Sequence, residues 1–127
     1  MDLLRRVVAE ALGTAFLLAA VVGSGIMGER LAGGNSAIAL LANTIATGAA
    51  LVALILTFRQ ISGAHFNPAV TLADAWQGGI SWRYVPAYLG AQIMGAFSGV
   101  AAANVMFWLA DLFCFASCAH RMATTLQ

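Results

Sequence analysis

The sequence holds no lysine, only two prolines and two cysteines, and very little charge. All 6 basic residues are arginine, set against 5 acidic ones for a net charge of +1, so no basic patch exists for nucleic acid. Charged residues make up 9% of the chain, against roughly 25% in a soluble domain. The two cysteines lie close to the C-terminus and cannot build a disulfide framework. What fills the chain instead is apolar. Hydrophobic residues reach 61% and the mean hydropathy is +0.87, above the ~45–50% apolar share of soluble domains. At 127 residues the chain is one domain or a fragment of one, too small to hide so much apolar surface from water. A cytosolic enzyme, a disordered tail and a nucleic-acid binder are excluded, and the expectation is an integral membrane protein in contact with lipid.

Three runs are long and uncharged enough to cross a hydrocarbon core of ~30 Å, which takes ~20 residues. They extend from about Val7 to Met27, Ala37 to Phe58 and Val85 to Phe107. Arg5-Arg6 before the first run fits a signal-peptide n-region. The run is nevertheless longer than the ~7–15 residues of an h-region, and two more spans follow it. Placing the N-terminus in the cytoplasm puts Arg5, Arg6, Arg59 and Arg83 inside and Arg30 and Arg121 outside, the distribution that cytoplasmic loops favour. The membrane expected is the plasma (inner) membrane. Trp82, Tyr84 and Tyr88 would then mark the inner interface and Trp108 the outer one. Glycines recur within the spans, and Gly95 and Gly99 form a G-x-x-x-G. Such small residues let helix backbones approach closely in lipid and argue for a tight bundle.

The connection from Arg59 to Arg83 is too long for a turn and too apolar for a solvated loop. Asn67 is a good helix N-cap, and Pro68 suits the first helical position because its missing N–H is an orphan there anyway. An apolar helix can run from Pro68 to about Gln77, where Gly78-Gly79 stops it. At ~1.5 Å per residue it covers ~15 Å, half a bilayer core. Gln60 to Phe66 can descend extended over a similar depth, so residues 60–77 read as a re-entrant loop plus a half-helix. Irregular backbone at membrane depth is tolerated only where it is buried in protein or lines a water-filled cavity. A half-helix N-terminus at the midplane also sets a positive dipole end there, which repels cations and protons. The Asn67 amide offers two donors and the loop carbonyls a row of acceptors. Together these suggest a pore for small neutral polar molecules. A cytoplasmic surface helix with an ordinary Asn-Pro cap is the plainer alternative.

The stretch Ser62-Gly63-Ala64-His65-Phe66-Asn67-Pro68-Ala69-Val70-Thr71 resembles the first signature loop of the aquaporin and glyceroporin (major intrinsic protein) family. Ala9-Glu10-Ala11-Leu12-Gly13-Thr14 resembles the start of that family's first helix. Ala91-Gln92 with Gly95 and Gly99 resembles its third. The likeness covers about residues 5 to 107. It implies an all-α, aquaporin-like integral membrane fold of three transmembrane helices plus one re-entrant half-helix. In the family two such repeats, inverted, bring two Asn-Pro-Ala half-helices together at the midplane, and four pores form a tetramer. By this resemblance Asn67, Pro68 and Ala69 form a constriction motif, and Gly63, Ala64 and His65 line the cytoplasmic path with their carbonyls. Glu10 likewise resembles a buried glutamate bracing the loop. Independently, a carboxylate inside a span is a functional-site candidate, although it can also snorkel at the inner interface beside Arg6.

Water-selective members usually carry an aromatic at the position of Thr47. Thr47, with Asn43 one turn earlier on the same face, implies a wider and more polar mouth, suited to glycerol-like solutes or neutral metalloid hydroxides. Threonine can instead bond back to its own helix. The family's second repeat and its filter arginine have no counterpart in this sequence. Residues 108–127 stop resembling the family and read as a divergent tail, from truncation, frameshift or cloning. Cys114, Cys118 and His120 stand at helical spacing, but three soft ligands without a fourth are weak evidence for a metal. The expected function is passive permeation of water or small neutral solutes, completed by a homo-oligomeric copy or a second half-repeat chain, without cofactor or catalysis. The other reading is a non-conducting fragment that only packs against full-length relatives.

Overall fold

A computed structural model describes residues 2–125, and their side chains as far as Asp111. It contains four helices and no strand among the described residues: α1 Leu3–Leu31, α2 Ser36–Ser62, α3 Pro68–Trp76 and α4 Val85–Thr125. A 3₁₀ turn, Trp82–Tyr84, leads into α4. Three stretches are long and apolar enough to span a membrane: α1, α2 and Trp82–Asp111. The chain has the all-α architecture of an integral membrane protein.

The turns follow from local chemistry. Gly33 and Gly34, both at positive φ, reverse the chain after α1. Asn35 then caps α2, its Oδ1 accepting from the N–H groups of Ala37 and Ile38. Gly63, at φ +97°, ends α2 in the left-handed conformation that lacks a Cβ penalty. Asn67 caps α3 by accepting from the Ala69 N–H at 2.9 Å, with Pro68 in the first turn.

α1 is the hub and packs against α2 on one side and α4 on the other. Gly95 and Gly99 let α4 lie on the backbone of α1, because a methyl group at either would overlap the carbonyls of Ala11 and Ala15. The α1–α2 crossing is close at Gly28, where a Cβ would stand 3.0 Å from the Ala39 carbonyl oxygen. Gly13 leaves room for the Phe66 ring. That ring also meets Phe58 edge-on at 5.9 Å.

Three expectations change. Residues 60–66 do not descend extended: α2 continues to Ser62, and only Gly63–Phe66 is irregular, with Ala64 and Phe66 at φ +56° and +49°. Contacts of Ser62 itself hold the last turn of α2: its hydroxyl donates to Glu10 of α1 and its carbonyl accepts from Tyr88 of α4. Tyr88 is not an interfacial aromatic; it is 0% exposed, in a cluster with Ala75, Ile80 and Val85. Its hydroxyl has a buried acceptor, which removes the reason for such a ring to seek the interface. Trp82 and Trp108 are exposed. Finally, α4 passes Phe107 without a break, and Arg30 forms a two-pronged ion pair with Asp111, both contacts at 2.9 Å. The Arg30 guanidinium also lies 5.3 Å from the centre of the Phe107 ring. Cys114, Cys118 and His120 lie outside the residues whose side chains are described.

Candidate functional site

The loop before α3 is organised by one carboxylate from another helix. Glu10, on α1, is 0% exposed and does not snorkel. Its Oε1 accepts from the Ser62 hydroxyl at 2.6 Å and the His65 backbone N–H at 3.0 Å. Its Oε2 accepts from the Phe66 N–H at 2.8 Å and the Gln92 amide Nε2 at 2.9 Å. Four donors from three segments thus converge on one group, and each hydrogen bond to such an acceptor is worth about 1.5–3 kcal/mol where both ends are buried. Two of them come from the backbone between Ala64 and Phe66, the residues at positive φ, and offset the cost of that conformation.

A second knot stabilises the base of α3. The Thr71 hydroxyl donates to the Asn67 carbonyl at 3.2 Å and accepts from Gln92 Nε2 at 2.9 Å. His65 Nδ1 lies 3.2 Å from the same oxygen, and Nε2 lies 3.4 Å from Asp74 Oδ2. The Tyr88 hydroxyl donates to the Ser62 carbonyl at 2.8 Å, satisfying an orphan acceptor at the end of α2. Its ring is tilted against that of His65, with centres 5.5 Å apart.

What the scaffold leaves free matters as much. Asn67, Pro68 and Ala69 are exposed. The Asn67 Oδ1 is occupied by the cap, while Nδ2 donates to nothing among the described residues. None of the described hydrogen bonds ends on the carbonyls of Gly63, Ala64 or His65. Gly63 to Ala69 and Glu10 therefore form one constellation. Thr47 and Asn43 stand apart from it on α2. Asn43 Oδ1 accepts from the Ser24 hydroxyl of α1 at 2.7 Å and borders a hollow of about 210 Å³ with Gly25, Glu29, Ser36, Ala39 and Leu40. Thr47 does not line that hollow. Thr44 and Thr57 bond back to the carbonyls of Leu40 and Ala53, whereas Thr47 makes no such bond among the described residues.

Reading the residues alone passed over the roles of Gln92, Thr71, Ser62 and Tyr88. A glutamine within an apolar span was the available signal for Gln92, since a polar side chain in lipid needs partners. Both of its amide hydrogens are committed, to Glu10 and to Thr71, so its Oε1 is a fixed acceptor; it is buried and has no partner. The hydroxyl of Thr14 is in the same condition. Both side chains line a hollow of about 250 Å³ with Leu18, Phe66, Asn67 and Ile93.

A bundle of membrane-spanning helices that folds a carboxylate-anchored irregular loop and a short helix between its spans defines a class of protein, the polytopic membrane proteins with a re-entrant segment. Within that class the chain belongs to the major intrinsic protein family, whose model matches residues 1–126. It is 56% identical over 111 residues to aquaglyceroporin AqpS of Rhizobium meliloti (strain 1021), covering 87% of this chain and 47% of that protein. It is 36% identical over 107 residues to aquaporin NIP6-1 of Arabidopsis thaliana, covering 84% of this chain and 34% of that protein. Aquaglyceroporin-3 of Trypanosoma brucei brucei is 39% identical over 103 residues, covering 81% of this chain and 32% of that protein. The chain thus spans half or less of the length of these relatives.

Proposed function

We propose that this chain supplies one half of a passive channel for water and small neutral solutes, without chemistry of its own. The observation that carries this reading is the Glu10-anchored loop, which leaves the Asn67 amide and the carbonyls of Gly63, Ala64 and His65 free at the start of α3. In this role Asn67 orients a solute, Pro68 and Ala69 complete the constriction, and the three carbonyls form a ladder of acceptors towards the cytoplasm. The dipole of α3 discourages cations. Glu10 is the brace. Thr47, with Asn43 behind it, shapes a mouth wide enough for glycerol-like solutes or neutral metalloid hydroxides, and the names of two relatives, both aquaglyceroporins, agree with that choice. The arginine distribution favours a cytoplasmic N-terminus in the plasma (inner) membrane. A second half-repeat, or further copies of the chain, completes the pore. Residues 1–107 hold the spans and the short helix of the repeat, and the family match runs on through residue 126.

The second reading is a non-conducting fragment that packs against full-length or complementary partners. It is favoured by the exposure of the constriction residues, which stand uncovered on one side. Osmotic swelling and shrinkage of proteoliposomes, with and without a complementary half, separates the two. A channel gives water or glycerol flux that falls at least tenfold on Asn67→Asp, about 1.4 kcal/mol of barrier. No flux in any combination, with the assembly intact, establishes the fragment instead.

A further inference from the structure

The arginines of the chain divide by what they touch. Arg30 is spent, because its guanidinium grips both carboxylate oxygens of Asp111 and lies on the Phe107 ring. Arg6 and Arg83 lie on rings as well, Arg6 at 5.9 Å from the centre of Tyr88 and Arg83 at 4.7 Å from the centre of Tyr84. Neither meets a carboxylate. Among the described residues the ion pairs are Arg30–Asp111 and His65–Asp74. The acidic groups at the Arg6 end of the bundle are engaged elsewhere or unpaired: Glu10 takes its four donors, Asp74 faces His65, and Asp2 contacts neither arginine. Both guanidiniums thus keep their charge uncompensated and their N–H donors unspent among the described residues.

The two rings are neighbours. Tyr84 packs against the buried cluster that contains Tyr88, one turn further along the chain. Arg6 reaches this place from the start of α1, and Arg83 from the 3₁₀ turn that leads into α4. A ring takes the flat face of a guanidinium and leaves the in-plane N–H fork for a partner. Two such forks without an internal counter-charge match the anionic oxygens of a phosphate group. The surroundings decide what carries that phosphate. Trp82, next to Arg83, is 56% exposed, and Leu4, Val8 and Leu12 are exposed at one-turn spacing along α1. A free phosphate makes no use of them, whereas acyl chains cover the leucine stripe and the indole settles at headgroup level. We infer that Arg6 and Arg83, each laid on a tyrosine ring where α1 and α4 begin, form a seat for the phosphate headgroup of an anionic lipid. Arg5 and Arg59 stand at the same end of the bundle and add attraction, but no ring holds either of them among the described residues. The inference does not depend on the half-channel reading.

The test is native mass spectrometry of the full 127-residue chain in detergent, titrated with phosphatidylglycerol, phosphatidylcholine or inorganic phosphate. One phosphatidylglycerol is expected to bind about tenfold more tightly than phosphatidylcholine. Arg6→Gln and Arg83→Gln each weaken it by about tenfold, the scale of a lost charge-assisted hydrogen bond. Arg83→Lys keeps the charge, loses the fork and should weaken binding nearly as much. Tyr84→Leu leaves both charges in place, removes the ring under Arg83 and should also weaken it. Arg59→Gln removes a charge with no ring beneath it and should cost less than about fivefold, and Arg30→Gln should cost nothing. Arg83 is exposed, so its variants decide the matter even where Arg6→Gln alters the helical circular dichroism. Equal binding of the two lipids overturns the seat, as does a loss on Arg59→Gln as large as that on Arg83→Gln, which marks diffuse surface charge. Full retention in Arg83→Lys and Tyr84→Leu overturns the role of the fork and the ring. Inorganic phosphate bound as tightly as phosphatidylglycerol overturns the choice of a lipid.

Discussion

α1 and α2 are similar in length and both are long enough to cross a bilayer, yet they are built for opposite surroundings. α2 is the more apolar of the two, and the most apolar stretch of α2 contains no buried residue. Its one buried residue is polar, Ser62 at the loop end. α1 buries Ala9, Glu10, Gly13, Thr14 and Gly23, a set of small and polar residues. In lipid, apolarity does not sort a residue to the interior, because the surrounding tails are as apolar as leucine. Backbone approach and hydrogen bonding do the sorting. Along α1 and α2 the buried positions are accordingly small or polar, and no large hydrophobic side chain of either helix is buried.

That contrast can be broken or sharpened by substitution, with effects that should descend in order. Glu10→Ala strands four donors at once and should cost at least about 3 kcal/mol, from the ~1–3 kcal/mol of each stranded buried group. Thermal unfolding in detergent should show a collapse in midpoint or no folded material. Gly95→Val forces α4 off the Ala11 backbone, for about 1–3 kcal/mol by overpacking. The same melting experiment on Gly48→Val, on the open face of α2, should show little change. Tyr88→Phe keeps the ring and strands the Ser62 carbonyl, for about 1–2 kcal/mol. Arg30→Gln removes an exposed ion pair, with side chains 42% and 60% accessible. Its effect should stay within about 1 kcal/mol and vanish in high salt. A Glu10→Ala protein that melts like the parent, or a Gly48→Val protein that melts like Gly95→Val, would erase the difference between the two helices.

Much of this was legible in the residues. The apolar runs located the spans, and Asn67-Pro68 located the start of α3, because both signals are local. Gly95 and Gly99 announced a close helix contact without naming the partner. The wiring of the site was not legible, since the partners of Glu10 lie 52 to 82 residues away and nothing in the spacing pairs them. Tyr88 misled because an aromatic near a span end is ordinarily interfacial, and only the position of the Ser62 carbonyl shows otherwise. The end of α2 was set too early for the same reason: its last turn is held by contacts from other segments. Asn43 reads as part of a mouth with Thr47, and its bond to Ser24 across the α1–α2 contact was not legible because the two residues lie 19 apart on different helices.

The central claim is that a carboxylate on α1 holds an irregular loop as rigidly as a helix holds its own backbone. Amide hydrogen exchange of His65 and Phe66 in lipid nanodiscs tests it most directly. The account expects both amides to exchange as slowly as those in the middle of α1, and to lose that protection in Glu10→Gln. Exchange as fast as that of the Gly33-Gly34 turn, in a protein whose helices remain protected, would contradict it.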